Sequence, residues 1–317
     1  VRASWDAKRW AVTDAGARGT IFFLLHFRES RESLALRAAV ERSAEAGFDA
    51  VVSQAEPERD IARHAESTRM LVSVGGDGTL LYAARMAAPR HIPVLGVNRG
   101  QLGFLTAVEM EQMPAAVTEF GAGRCRAEAR PTLRAAVEPG ASKGAAAQVE
   151  VAVNEVVVKA DGFNLVHLQV TAGGDRLGDF DADGMIVATS IGSTAYSLSA
   201  GGPPLDPGVP GMVVTALNPH GLSSRSLVIP DEFEVVIDVV RGAAGVAADG
   251  TPWGRVEEGG RLVLRRGPTL TLLRPPGSPG FFERLRSKTG YGRVLKLPYD
   301  LGPINGDGAL VDPDLRA

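Results

Sequence analysis

A single cysteine, Cys125, in 317 residues excludes an internal disulfide and any zinc site built from several thiolates. The five histidines, His26, His64, His91, His167 and His220, show no short metal-ligand spacing. No apolar run approaches the roughly 18 residues that cross a bilayer. Residues 1–19 carry Arg, Lys and Trp without the apolar centre of a signal peptide. Basic excess is also missing: 34 Lys plus Arg stand against 37 Asp plus Glu, a net charge of −3, with no basic stripe for nucleic acid. These absences point to a soluble, cytoplasmic protein with no nucleic-acid and no membrane partner. What remains is an ordinary globular composition, 44% hydrophobic and 22% charged, in a chain long enough for two domains. Residues 1–19 read as a disordered extension, and Val1 fits an alternative start codon read literally, with the true start elsewhere.

From residue 20 to 122 the pattern alternates between strand and helix. Apolar runs at Thr20–His26, Asp49–Ser53, Met70–Val74 and Pro93–Asn98 read as strands. Ser33–Ala46, Glu58–Thr68 (helix or loop), Leu80–Ala88 and Met110–Phe120 supply the helical stretches. This alternation predicts an α/β domain with a parallel, Rossmann-like sheet, its ligands lying beyond the carboxyl ends of the strands. From 123 to 275 the chain changes to strands separated by turns: Ala127–Val137, Gln148–Lys159, Leu165–Thr171, Met185–Thr189, Gly211–Leu217, Glu234–Val240 and Arg261–Leu273. That region predicts a mostly β, sandwich-like domain, with the active site in the cleft between the two. Residues 276–295 hold a Pro-Gly stretch and a short helix, Phe281–Lys288, expected to return to the first domain. The Gly-, Pro- and Asp-rich 296–317 reads as a flexible tail.

The most informative stretch is Gly75-Gly76-Asp77-Gly78-Thr79, set between a strand and a helix. Glycines there let backbone N–H groups approach a ligand, and the following helix N-terminus favours phosphate. Asp77 is repelled by such a ligand unless it binds a metal or takes a proton from a nucleophile, which is a kinase-like arrangement. A plain tight turn explains the pentapeptide alone equally well. Downstream, Asn154-Glu155 interrupts a β-branched run. A buried Glu needs a partner, and a ligand with hydroxyls would satisfy it; an edge strand with Glu155 in solvent is the alternative. Asp179, Asp181, Asp183 and Gly184 match the start of a calcium loop, but Ser190 stands where a bidentate Glu is needed. The segment from Ser190 to Pro203 combines Gly and Ser with Tyr196; Ser193 and Thr194 suit a helix cap or an oxygen-rich ligand. A mobile linker is the competing reading.

Taken in order, Gly75–Thr79, Asn154-Glu155 and Asp183–Pro203 resemble the NAD kinase family, ATP- or polyphosphate-dependent. Asn98–Leu105, Asn218-Pro219-His220 with Leu222 and Arg225, and Asp249-Gly250 extend the likeness over roughly residues 20–290. The glycine–Asp turn is shared with lipid kinases and phosphofructokinases, whereas the Gly-Ser-Thr-Ala-Tyr segment is highly specific. The resemblance implies Mg2+-dependent (or other divalent-metal) phosphoryl transfer from ATP or polyphosphate to the 2′-hydroxyl of the adenosine ribose of NAD. It implies Asp77 as the base or orienting group, with Gly75, Gly76, Gly78 and Thr79 around the phosphates. Phe104 is expected near the adenine, and Asn154 and Glu155 on base and ribose hydroxyls. Asp183, Thr194, Ala195, Tyr196 and Ser199 are expected to line the dinucleotide site, and Asp249 to lie toward the nicotinamide end. It further implies a homo-oligomer, dimer or tetramer, and names no metal-ligating residue. Two departures stand out: Thr189-Ser190-Ile191 replaces a usual Thr-Pro-Thr, and Ser226 follows Arg225 where proline is common. A lipid or sugar kinase and a non-catalytic NAD-binding regulator are the competing functions; an intact Asp77 disfavours the second.

Overall fold

The computed structural model describes residues 19–100, 103–138, 148–162, 164–221 and 224–292. Residues 1–18 of the expected 1–19 extension and the expected 296–317 tail lie outside these residues, as do Gln101, Leu102 and Leu222. In chain order the elements are β1 (Thr20–Leu25), α1 (Leu34–Glu45), β2 (Asp49–Ser53), α2 (Pro57–His64), β3 (Thr68–Gly75), α3 (Asp77–Ala87), β4 (Val94–Asn98), β5 (Val108–Glu109) and α4 (Met113–Gly121). There follow β6 (Arg126–Arg130), β7 (Leu133–Glu138), β8 (Gln148–Ala152), β9 (Glu155–Ala160), β10 (Val166–Ala172), β11 (Asp175–Ala182), β12 (Gly184–Thr189) and α5 (Tyr196–Ser199). The remainder comprises β13 (Gly211–Leu217), β14 (Leu227–Pro230), β15 (Val235–Arg241), β16 (Ala244–Ala248), β17 (Thr251–Val256), β18 (Arg261–Arg266), β19 (Leu270–Arg274) and α6 (Phe281–Thr289). The chain divides into two units after Pro279. In the second, α6 closes on Gly290 in the left-handed region, whose N–H bonds Arg286 O. No helix among the described residues is long and apolar enough to cross a membrane.

The first sheet runs β2-β1-β3-β4-β19-β6, with β5 beside β4. All its pairings are parallel except β19 with β6. Strands β1 and β4 are buried at every position, which is why they read as continuous apolar runs. Ile21, Phe23 and Leu25 face the side covered by α1 and α4; Phe22 and Leu24 face α2 and α3. The other two sheets, β11-β10-β15-β18-β7-β8 and β14-β13-β12-β9-β16-β17, are antiparallel and share one core between Leu168, Val170, Ile237 and Leu264 of one and Val156, Val187, Val214 and Val246 of the other. The expected α/β domain and β-sandwich are both present.

Three expected strands are each two. Pro131 divides Ala127–Val137, so that β6 joins the first sheet and β7 the sandwich. Gly267-Pro268 divides Arg261–Leu273 in the same way into β18 and β19. Sheet membership therefore departs from the expected boundaries at 122 and 275, because proline removes a ladder donor and the chain changes sheet there. The third, Gln148–Lys159, breaks at Val153-Asn154, where the chain crosses between the two sandwich sheets.

Candidate active site

At the carboxyl ends of β1, β3 and β4 lies a cavity of about 730 Å3, walled by His26, Arg28, Gly76, Gly78, Thr79 and Arg99 among others. The glycine turn is tighter than expected. Gly76 is the extended N-cap of α3, so the helix begins at Asp77 rather than Leu80. Asp77, Gly78 and Thr79 thus occupy the first helical turn, whose N–H groups have no partner four residues back. The loop after β1 is held by Gln54, whose Nε2 donates to His26 O at 3.0 Å and Glu29 O at 2.9 Å. At the rim the Tyr82 hydroxyl donates to Glu58. Burial and that carboxylate hold the phenol well above its usual range.

The Asp77 carboxylate is turned onto the loop after β4. Oδ2 accepts the Phe104 N–H at 2.8 Å, and Oδ1 accepts those of Leu105 and Thr106 at 3.1 and 3.2 Å. A carboxylate offers about four acceptor directions; with these three bonds, one direction on Oδ2 has no partner among the described residues. A Cβ on Gly103 would overlap the carboxylate; the loop comes this close only because that residue is glycine. On its carbonyl side the loop is held by Arg274, whose Nη1 donates to Leu105 O at 2.7 Å and Thr106 O at 3.3 Å.

The second cluster forms where the chain crosses from β8 to β9. Asp249, in the turn between β16 and β17, has φ +48°, a left-handed conformation that Asp tolerates better than most residues. Its carboxylate accepts the N–H groups of Val153 (2.9 Å), Asn154 (2.7 Å) and Glu155 (3.3 Å), and its own N–H returns to Glu155 O at 3.0 Å. Asn154-Glu155 is therefore not the centre of a strand but a kinked crossover. Its free N–H groups are satisfied by a side chain some 95 residues away. Glu155 is only 6% exposed, and its Oε2 has no hydrogen-bond partner among the described residues. Burial, then the adjacent Asp249 charge, raise its carboxyl to about 7, against the pull of the Tyr196 N–H. Asp249 is raised as well, by burial, which outweighs its three N–H bonds. The Asn154 side-chain amide makes no hydrogen bond among the described residues.

Thr189 ties the crossover to the next segment: its N–H donates to Asn154 O at 2.8 Å and its hydroxyl to Val153 O at 2.7 Å. A Cβ on Gly192 would collide with the Asn154 backbone, so the Gly192–Ser199 segment lies directly over Asn154. Within it Tyr196 and Ser199 are exposed and Thr194 and Ala195 half-buried. Ser193 is fully buried; its hydroxyl donates to Ser190 O and accepts the Leu205 N–H, so it is structural rather than a ligand donor. Ile191 packs with Leu80, Leu105 and Val153 in one core cluster, tying the glycine-turn helix, the Asp77 loop and the Asn154 crossover together. Asp183 stands apart. It accepts from Asn218 Nδ2 at the opposite end of β12, whose six residues span about 20 Å. Asp179 and Asp181 lie in strand β11, not in a cation loop. Arg274, Gln54 and the clamping role of Asp249 have no local sequence signal, since each acts on backbone groups distant in the chain.

Residues 8–125 match the family model described as ATP-NAD kinase N-terminal domain, and residues 153–273 the model of the ATP-NAD kinase C-terminal domain. The chain is 36% identical over 263 residues to the NAD kinase of Cellvibrio japonicus, spanning 82% of this chain and 87% of that one. It is 35% identical to the NAD kinase of Variovorax paradoxus over 291 residues, 90% and 91% of the two chains. Among solved structures, yeast NADH kinase complexed with NADH has a TM-score of 0.76 at 22% identity, covering 90% of this chain and 91% of that chain. An NAD kinase from Archaeoglobus fulgidus in complex with ATP has a TM-score of 0.64 at 22% identity, covering 85% and 97%. At that identity the two structures show the fold.

Proposed function

The chain belongs to the NAD kinase family of phosphotransferases, and from this we propose that it moves a terminal phosphoryl group from ATP or polyphosphate to the 2′-hydroxyl of the adenosine ribose of NAD, giving NADP. The observation that carries the reading is the pairing of two half-sites through one core. Leu80 of the glycine-turn helix and Leu105 beside Phe104 belong to the same buried cluster as Val153 and Ile191, which flank Asn154 and the Tyr196 segment.

In this mechanism the donor phosphates sit in the cavity at the α3 N-terminus, against the N–H groups of Gly78 and Thr79, with Gly75 and Gly76 behind them. Arg28 and Arg99 line the same cavity and offset phosphate charge. The open acceptor direction on Asp77 Oδ2 takes the ribose hydroxyl and receives its proton as the bond to phosphorus forms. Phosphoryl transfer gains most of its rate from positioning and charge neutralisation, and the three loop N–H groups fix where that lone pair points. Phe104 packs beside the adenine; Asn154 and Glu155 supply the acceptors and donors that ribose hydroxyls and base nitrogens require. Thr194, Ala195, Tyr196 and Ser199 cover the dinucleotide. Asp249 serves the site from beneath, shaping the Asn154-Glu155 backbone. Asp183 would join only by contacting a ligand at the far end of β12.

No group of three or more His, Cys, Asp or Glu side chains among the described residues forms a metal cage. Mg2+ bound mainly through substrate phosphates needs few protein ligands. Glu29 is a candidate for that limited demand: it lines the cavity, and its buried Oε1 makes no hydrogen bond among the described residues but pairs with Arg99 Nε at 3.5 Å, so a cation would take that oxygen from Arg99 and release the guanidinium toward phosphate. The ion, when bound, neutralises charge on the transferred and leaving phosphates. A cytoplasmic location agrees with the single cysteine. A homo-oligomer, dimer or tetramer, agrees with the exposed Leu227 and Val228 on the edge strand β14. The test is NADP formation from NAD with ATP or polyphosphate and Mg2+, read by an NADP-specific dehydrogenase; binding of NAD without turnover would favour a regulator instead.

A further inference from the structure

The loop that orients Asp77 is anchored by a residue at the end of the last strand of the first sheet. Arg274 is 5% exposed. Its Nη1 donates to the carbonyls of Leu105 and Thr106, and its Nε donates to Glu128 Oε2 at 3.2 Å. Glu128, on the neighbouring β6, also meets Arg130 at 2.8 Å and Arg126 at 2.7 Å. Burial pushes the Glu128 carboxyl up, but the guanidinium groups of Arg274, Arg130 and Arg126 outweigh it and hold it below the usual range. The loop is therefore gripped from two sides, its N–H groups by Asp77 and its carbonyls by Arg274.

We propose that Arg274 is a positioning residue for phosphoryl transfer: it fixes residues 104–106, and through them the direction of the Asp77 lone pair that meets the acceptor hydroxyl. The inference rests on the kinase reading above for its catalytic half. A planar guanidinium can donate to the loop and to Glu128 at once; an ammonium on a flexible stem offers no such fork. Arg274 touches no substrate in this arrangement and grips the Leu105 and Thr106 carbonyls, so its loss acts mainly on the chemical step and reaches NAD binding only through the neighbouring Phe104.

The experiment compares wild type with Arg274→Lys and Arg274→Met for kcat, for KM of NAD and of ATP, for Tm, and for hydrogen exchange of the 104–106 amides. The expected result is a kcat about 10- to 100-fold lower in Arg274→Lys, with the KM of ATP within about twofold of wild type, the KM of NAD raised by less than kcat falls, and faster exchange confined to 104–106. Should Arg274→Met not fold, Arg274→Lys, which keeps the charge, carries the comparison alone. A folded Arg274→Lys with wild-type kcat overturns the proposal, as does a variant whose defect lies in KM or follows its loss of Tm. Unchanged exchange at 104–106 overturns it too. A wild type that makes no NADP overturns the kinase reading instead, and the exchange data then still decide whether Arg274 holds the loop.

Discussion

Replacing Glu155 with Gln should stabilise the ligand-free protein at pH 8 and leave it nearly unchanged at pH 5. In the folded chain, burial and then the Asp249 charge raise this carboxyl from 4.5 to about 7. Between those values the folded chain keeps a proton that the unfolded chain has released. Stability therefore falls as pH rises through that window, and the loss is complete above about 7. At about 1.4 kcal/mol per unit, the ionised Glu155 costs about 3 kcal/mol at pH 8. An amide carries no charge at either pH and removes that cost. For a protein of this size, about 3 kcal/mol corresponds to about 4–5 °C in Tm. The assay is thermal unfolding of both proteins without nucleotide at several pH values from 5 to 8. The expected result is a gap in Tm that opens with pH in favour of Glu155→Gln. A gap that is constant with pH, or a variant that weakens relative to wild type as pH rises, would show that Glu155 carries no such buried charge. NAD binding should move oppositely, falling about 10- to 100-fold if the carboxylate receives ribose hydroxyls through charge-assisted bonds.

Three further outcomes follow from the site. Asp77→Asn should keep NAD affinity by calorimetry while kcat falls by about 10²- to 10⁴-fold, since the amide can present a donor where the acceptor hydroxyl needs an acceptor. Gly103→Ala should lower kcat at least about 10-fold with little change in NAD affinity, because its methyl displaces the Asp77 carboxylate. Ile191→Thr should destabilise the chain by about 1–3 kcal/mol in denaturant titration, because that position is core and a hydroxyl there is buried without a ligand to meet.

The parallel sheet was legible because each of its first four strands is a separate apolar or β-branched run between helices. The sandwich was harder to read. Ala127–Val137, Gln148–Lys159 and Arg261–Leu273 keep strand-like composition straight through the points where the chain changes sheet, and only Pro131, Gly267-Pro268 and the Asn154 kink mark the change. Strand β11 has no strand signal in sequence because it is an edge strand with four acidic or basic residues and little buried surface. The hairpin β16–β17 is Ala- and Gly-rich, which carries no strand signal. Asp77, Asn154 and Glu155 were recognisable from their odd settings. The resemblance alone sets Asp249 toward the nicotinamide end; that its carboxylate also accepts three backbone N–H groups only a fixed φ and a long-range approach could show. Ile191, a departure from the family pattern, reads as a lost hydroxyl in sequence and as a core residue in three dimensions.

In the proposed mechanism Asp77 directs a phosphoryl group to one ribose hydroxyl. The measurement is phosphorus–proton NMR of the product made by the wild-type chain from NAD, ATP and Mg2+, with Asp77→Asn alongside. The expected product carries a new phosphorus correlated with the H2′ of the adenosine ribose, and the variant yields only a trace of it. A phosphate at any other position, or equal product from both proteins, would contradict that mechanism.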